Sequence, residues 1–197
     1  MQFYELIRSK ISTNRGEYSL VFLAIGIFFA ISTVIWALAP TSGRMENDSI
    51  SYKGMVDSYY EHGVIGIGKP GLCRTWLGIG YPIFLIFLNM LSGNWFRWVV
   101  PAQVLLMALV IFLVWRAARN FFGIAGANIT ALLCAVNIGF WVYPQFVLTE
   151  TLLTLCVAVA IERFSTFYVR GGTYNLMLVG LAYGLSIWVK STLWYYV

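Results

Sequence analysis

Four ionisable side chains have the types and surroundings for chemistry on a phosphate-bearing substrate: Asp48, Arg74, Glu150 and Lys190. A carboxylate beside an acceptor takes up its proton as the new bond forms. Cations hold the charge that gathers on a departing phosphate. Asp48 stands in Glu46-Asn47-Asp48-Ser49-Ile50-Ser51-Tyr52, just past the first long apolar run. Glu150 lies in an otherwise apolar segment, where an ionisable group is costly and by default marks a function or a partner. Arg74 stands just before another apolar stretch, and Lys190 interrupts the last one. Each has a plainer reading. Asp48 suits the N-cap of a helix. Glu150 fits the headgroup level at a span mouth opened by Pro144, and Lys190 can snorkel outward. Asp57 and Glu61 read as solvated charges. The single histidine, His62, has no partner at metal-ligand spacing.

The elements that must position these residues are membrane helices. Sixty per cent apolar residues, 11% charged residues and a mean hydropathy of +0.77 exclude an ordinary soluble domain. The formal charge of +5 is spread over loops and reads as membrane orientation rather than nucleic-acid binding. Cys73, Cys134 and Cys156 are far apart, without metal-type spacing, and do not suggest a disulfide framework. Arg8, Lys10 and Arg15 precede an apolar run over 18–39, which resembles a secretion signal. At 22 residues it is longer than a signal core of ~7–15, so it is read as a retained first span.

Runs of about 17–25 uncharged residues suit a bilayer. Residues 18–39, 98–115 and 121–143 qualify, as do 174–197 apart from Lys190 and 146–161 apart from Glu150. Residues 76–91 are short, and Gly78, Gly80 and Pro82 weaken their first turns. Cytoplasmic loops favour Lys and Arg. If 76–91 crossed, with the N-terminus inside, four basic residues would lie inside and eight outside. If that segment stays at the outer surface, the count becomes seven inside against five outside. The predicted architecture is therefore all-α. It has about five transmembrane helices and a long first outer loop over 40–97 carrying interfacial helices, within a single transmembrane domain over 1–197. An inverted six-span arrangement also satisfies the charges. In the five-span arrangement Asp48, Arg74, Glu150 and Lys190 all fall on one side.

Within the outer loop Tyr52, Met55, Val56, Tyr59 and Tyr60 recur at helical spacing, with Ser49, Lys53, Asp57 and Glu61 on the other face. This predicts an amphipathic helix lying in the headgroup layer. Gly63, Gly66, Gly68 and Lys69-Pro70-Gly71 end it.

Several segments, in order, resemble the type C superfamily of membrane glycosyltransferases. The branch is that of dolichyl-phosphate-mannose–protein mannosyltransferases and bacterial aminoarabinose–lipid A transferases. Asp48-Ser49-Ile50-Ser51-Tyr52 resembles the acidic motif after the first span, with Tyr59-Tyr60-Glu61-His62-Gly63 following. The stretch from Arg74 through Gly80-Tyr81-Pro82-Ile83-Phe84-Leu85 is similar to a basic, proline-containing segment before the next hydrophobic helix. Phe146-Val147-Leu148-Thr149-Glu150-Thr151 resembles the acidic start of a later span. Gly180-Leu181-Ala182-Tyr183-Gly184-Leu185 through Lys190-Ser191 resembles a glycine-rich span that ends in a cation.

The resemblance implies an inverting transfer from a polyprenyl-phosphate sugar donor to a lipid, glycan or protein acceptor at the outer face. Asp48 is then the base and Arg74 and Lys190 the phosphate ligands, while Glu150 stands as a second candidate catalytic carboxylate on its place in an apolar segment. Asp48 is followed by Ser49, where eukaryotic members often carry two adjacent acids. No cofactor is assigned, and a divalent metal stays open. The expected location is the inner membrane of a bacterium with the N-terminus cytoplasmic. The end at Val197, directly after a span, reads as the N-terminal part of a longer enzyme. Two non-enzymatic readings stand beside this one: a transporter or flippase-like protein for lipid-linked sugars, and an accessory subunit or non-catalytic fragment.

Overall fold

The computed structural model describes residues 18–38, 45, 47–66 and 78–190. Within them the chain forms seven α-helices and one short 3₁₀ turn. Helix α1 is Ser19–Leu38, α2 Asn47–His62, α3 Gly80–Ser92, α4 Trp95–Val136, α5 Ile138–Val142, α6 Glu150–Arg170 and α7 Thr173–Val189. The protein is an all-α membrane protein. Helices α1, α4 and α6 are long and apolar enough to cross a bilayer, and α7 is a shorter apolar helix of 17 residues.

Helix α4 does not cross as one rod. Its 42 residues would extend about 63 Å, twice a hydrocarbon core. The chain reverses at Gly123, with φ 69° and ψ −170°, a backbone region that is essentially glycine-only. One leg therefore covers 95–122 and a second 124–136. The expected loop around Arg116 and Arg119 is absent, because the helix runs on through both residues to the reversal at Gly123. Pro101, the seventh residue of the first leg, lies past its four free amides, so it removes the helical bond to the Arg97 carbonyl.

Five legs thus run between two ends. At the Gly123 end, the start of α1 meets the end of the first leg, where Arg119 packs over the rings of Tyr18 and Trp115. There the Asn120 amide also donates to the Ser165 hydroxyl at 2.9 Å, near the end of α6. At the opposite end, which holds Lys190, the connection 143–149 folds over the bundle. Gln103 fastens it by donating to the carbonyls of Pro144 (3.0 Å) and Phe146 (2.7 Å) while accepting from the Tyr81 hydroxyl (2.8 Å). Val21, Ala24 and Phe28 of α1 pack against Met107, Val110 and Ile111 of the first leg and Ala127, Ala131 and Ala135 of the second. The alanines keep those axes close. Phe22, Leu23, Leu105 and Phe164 face outward, as a lipid-facing surface requires.

Helix α3 has 13 residues, about 20 Å, too short to cross alone. It folds back beside the start of α4 through a turn at Gly93 and Asn94, whose side chain caps α4 by accepting from the Arg97 amide. Tyr81, Leu85 and Ile86 of α3 form a second core with Tyr52, Met55 and Val56 of α2 and Trp95, Val99 and Val100 of α4. The apolar face of α2 is therefore spent largely on protein. Tyr59 and Tyr60 stay exposed on the remainder of the helix.

Candidate active site

The site lies at the Lys190 end, where α2, the 146–149 connection, α6 and the end of α7 meet. Glu150 is the first residue of α6 and sits 28% exposed. A carboxylate there complements the positive end of the helix dipole. The Lys190 ammonium donates to Glu150 Oε1 at 2.7 Å, and its side chain is 33% exposed. Lys190 itself has left the helix: its φ of −137° and ψ of 105° are extended, and its backbone N–H caps α7 by donating to the Ser186 carbonyl at 3.0 Å. The Thr149 hydroxyl makes a long contact of 3.4 Å to the other Glu150 oxygen.

Helix α2 brings Asp48 to this corner. The helix begins at Asn47, so Asp48 falls inside its first turn rather than at the N-cap position. The cap expected at Asp48 is therefore not formed by it, since Asp48 lies within the helix. Asp48 is exposed, and its charge again complements a helix start. The next residue, Ser49, is fully buried, and its hydroxyl donates to the Val147 carbonyl at 2.8 Å. Sequence reasoning put Ser49 on the outer face. The structure puts it on the buried face with Tyr52 and Val56, because the partner surface supplies a carbonyl that a hydroxyl can satisfy.

One turn further, Tyr52 is 2% exposed and shares a hydrogen bond with the Thr149 side chain. Burial pushes its phenol up to about 12. The Thr149 bond opposes this, while the nearby Asp48 and Glu150 charges add to it. Both carboxylates thus act on one phenol, at a corner with a lysine ammonium in direct contact. Such a corner can accept a proton at Asp48 and bind an anion at Lys190.

Arg74 lies outside the described residues. The segment that follows it is described from Gly78, whose backbone rests against Trp188 and Val189, directly before Lys190. Among the described residues no group of three or more His, Cys, Asp or Glu side chains is arranged to hold a metal ion. The side chains of Asp57 and Glu61 pair locally, with Lys53 and His62, on the exposed face of α2.

Two buried polar residues escaped sequence reasoning. Gln103 sits within an apolar run, and its missed signal was an amide there with no solvent to satisfy it. Glu162, almost fully buried, lies one residue past the apolar run 146–161, whereas α6 continues to Arg170. Glu162 lies toward the Gly123 end, paired with Arg116 at 2.9 Å and Arg163 at 3.1 Å, away from the Lys190 corner.

A family model described as dolichyl-phosphate-mannose-protein mannosyltransferase matches residues 78–197 of the chain. Comparison with curated proteins and with solved structures gave no match. The matched region takes in α3 through α7, and with them Glu150 and Lys190.

Proposed function

Since the chain belongs to the dolichyl-phosphate-mannose–protein mannosyltransferase family, and so to the type C membrane glycosyltransferases, we propose that it moves a sugar from a polyprenyl-phosphate donor to an acceptor at the outer membrane face. The observation that carries this reading is the Lys190–Glu150 contact beside the helix that presents Asp48. In the proposed reaction the Asp48 carboxylate takes the proton of the acceptor as its oxygen or nitrogen attacks the anomeric carbon from the side opposite the phosphate. The bond between that carbon and the phosphate oxygen breaks. Its electron pair leaves with the polyprenyl phosphate, and the sugar inverts.

Lys190 neutralises the charge that develops on the leaving phosphate, assisted by Arg74 from the preceding segment. The Lys190 ammonium pairs with Glu150. The phosphate takes over this ammonium, and Glu150 becomes the second carboxylate facing the reacting sugar. Positive charge favours the cytoplasmic side. Arg116, Arg119, Arg163 and Arg170 at the Gly123 end therefore support an outer position for the Lys190 end.

The test is Asp48→Asn in the full chain. Loss of a general base lowers sugar transfer by about 10²–10⁴-fold, with membrane insertion and thermal stability unchanged. Unaltered transfer, or a loss that follows loss of folding, would refute Asp48 as the base.

A further inference from the structure

The close approach of two chain segments beside the site has a consequence for Lys190. A side chain at Gly78 would place its Cβ 2.6 Å from the Val189 carbonyl oxygen and nearer still to that of Trp188. Two residues on, a Cβ at Gly80 would stand 3.1 Å from the Trp188 carbonyl carbon. Both obstacles are backbone, so no rotamer change relieves them. The chain at 78–80 lies flush on the last turn of α7 because two glycines allow it. We propose that Gly78, supported by Gly80, is a positioning element for Lys190, fixing where the lysine leaves α7 so that its ammonium reaches the anion site. This deepens the reading of Lys190 as a phosphate ligand and rests on it.

The physical argument starts from the length of a lysine side chain. Four methylenes give the ammonium a wide reach, and a 2.7 Å contact with Glu150 requires a fixed starting point. Two contacts define that point. One is the Lys190 N–H to Ser186 carbonyl bond, and the other is the glycine seat on Trp188 and Val189. A methyl group at position 78 must separate the two chains, since carbonyl oxygens cannot yield. Displacement by about 1 Å at a positioning group can cost roughly 10²-fold in rate. Gly180 and Gly184, on the same helix, have open space where a Cβ would go, so they carry no such constraint.

The experiment compares Gly78→Ala, Gly80→Ala and Gly184→Ala in the full chain in membranes. Lys190 acylation by an amine reagent is read by mass spectrometry, alongside transfer kinetics from a polyprenyl-phosphate sugar. Gly78→Ala is expected to raise Lys190 acylation to the level of Glu150→Gln. It should also lower kcat/KM for the donor by roughly tenfold or more, with kcat falling too, because charge neutralised as the phosphate leaves is lost from the transition state. Gly184→Ala should alter neither readout. If Gly78→Ala fails to accumulate as folded protein, Gly80→Ala reports the same displacement through its milder contact. Folded variants whose Lys190 acylates at the wild-type rate overturn the proposal. Raised acylation with an unchanged kcat/KM for the donor leaves the glycine seat standing and refutes the phosphate role of Lys190.

Discussion

Lys190 and Glu150, forty positions apart, meet at 2.7 Å where the end of α7 reaches the start of α6. Glu150 opens one apolar helix and Lys190 directly follows the end of another, and each offsets the cost of the other's charge. A structural ion pair would suffice to explain that. What it leaves unexplained is the surroundings: a partly exposed pair, next to a helix that brings Asp48 and Tyr52 to the same corner. An open pair can exchange one anion for another. Glu162 differs in that its own side chain is buried, so it has no path to solvent by which its arginines could exchange it for another anion.

Tyr52 gives the docking of α2 a pH signature. Its folded phenol is raised to about 12 from an ordinary 10.0, so the unfolded chain loses this proton first as pH rises. The stabilisation is fully present below pH 10 and is lost as pH climbs through about 12. Tyr52→Phe should flatten the decline of thermal stability across that window. Near neutral pH it should cost about 1 kcal/mol through the lost Thr149 hydrogen bond. Equal alkaline slopes in variant and wild type would show that the Tyr52 phenol is not held neutral by this contact.

Glu162 predicts an asymmetry between its two sides. Its carboxylate is 1% exposed, while Arg116 and Arg163 are 41% and 31% exposed. Removing both arginines strands a buried charge and should cost about 3–5 kcal/mol. Glu162→Gln leaves the arginines a path to solvent and should cost less. Thermal unfolding in detergent orders the variants, and a larger loss for Glu162→Gln would contradict the account.

Orientation is tested with single cysteines at the two ends. Glu61→Cys sits on the exposed face of α2, and Arg170→Cys at the end of α6. In intact cells a membrane-impermeant thiol reagent should label the first and spare the second until the membrane is opened. Labelling of Arg170→Cys from outside would reverse the orientation and remove the outer-face chemistry.

The helices and the gathering of Glu150 and Lys190 were legible because hydrophobic runs set the spans and charge bias set the sides. Local detail was less so. Hydropathy could not distinguish a loop near Arg116 from a glycine reversal at Gly123, since a single backbone conformation decides it. Periodicity placed Tyr52, Met55 and Val56 correctly on one face, yet it assigned Ser49 outward by polarity alone. A hydroxyl can be buried when a carbonyl awaits it, and that carbonyl, on Val147, lies 98 residues away in sequence. The seat of Gly78 on Val189 is equally non-local.

The central claim is that Lys190 surrenders Glu150 for a lipid phosphate, and one measurement addresses it directly. The rate of Lys190 acylation in the full chain is followed against increasing undecaprenyl phosphate and, separately, undecaprenol. The account predicts that the phosphate protects Lys190 in a saturable way while the alcohol does not. Equal protection by both lipids, or by neither, would contradict it.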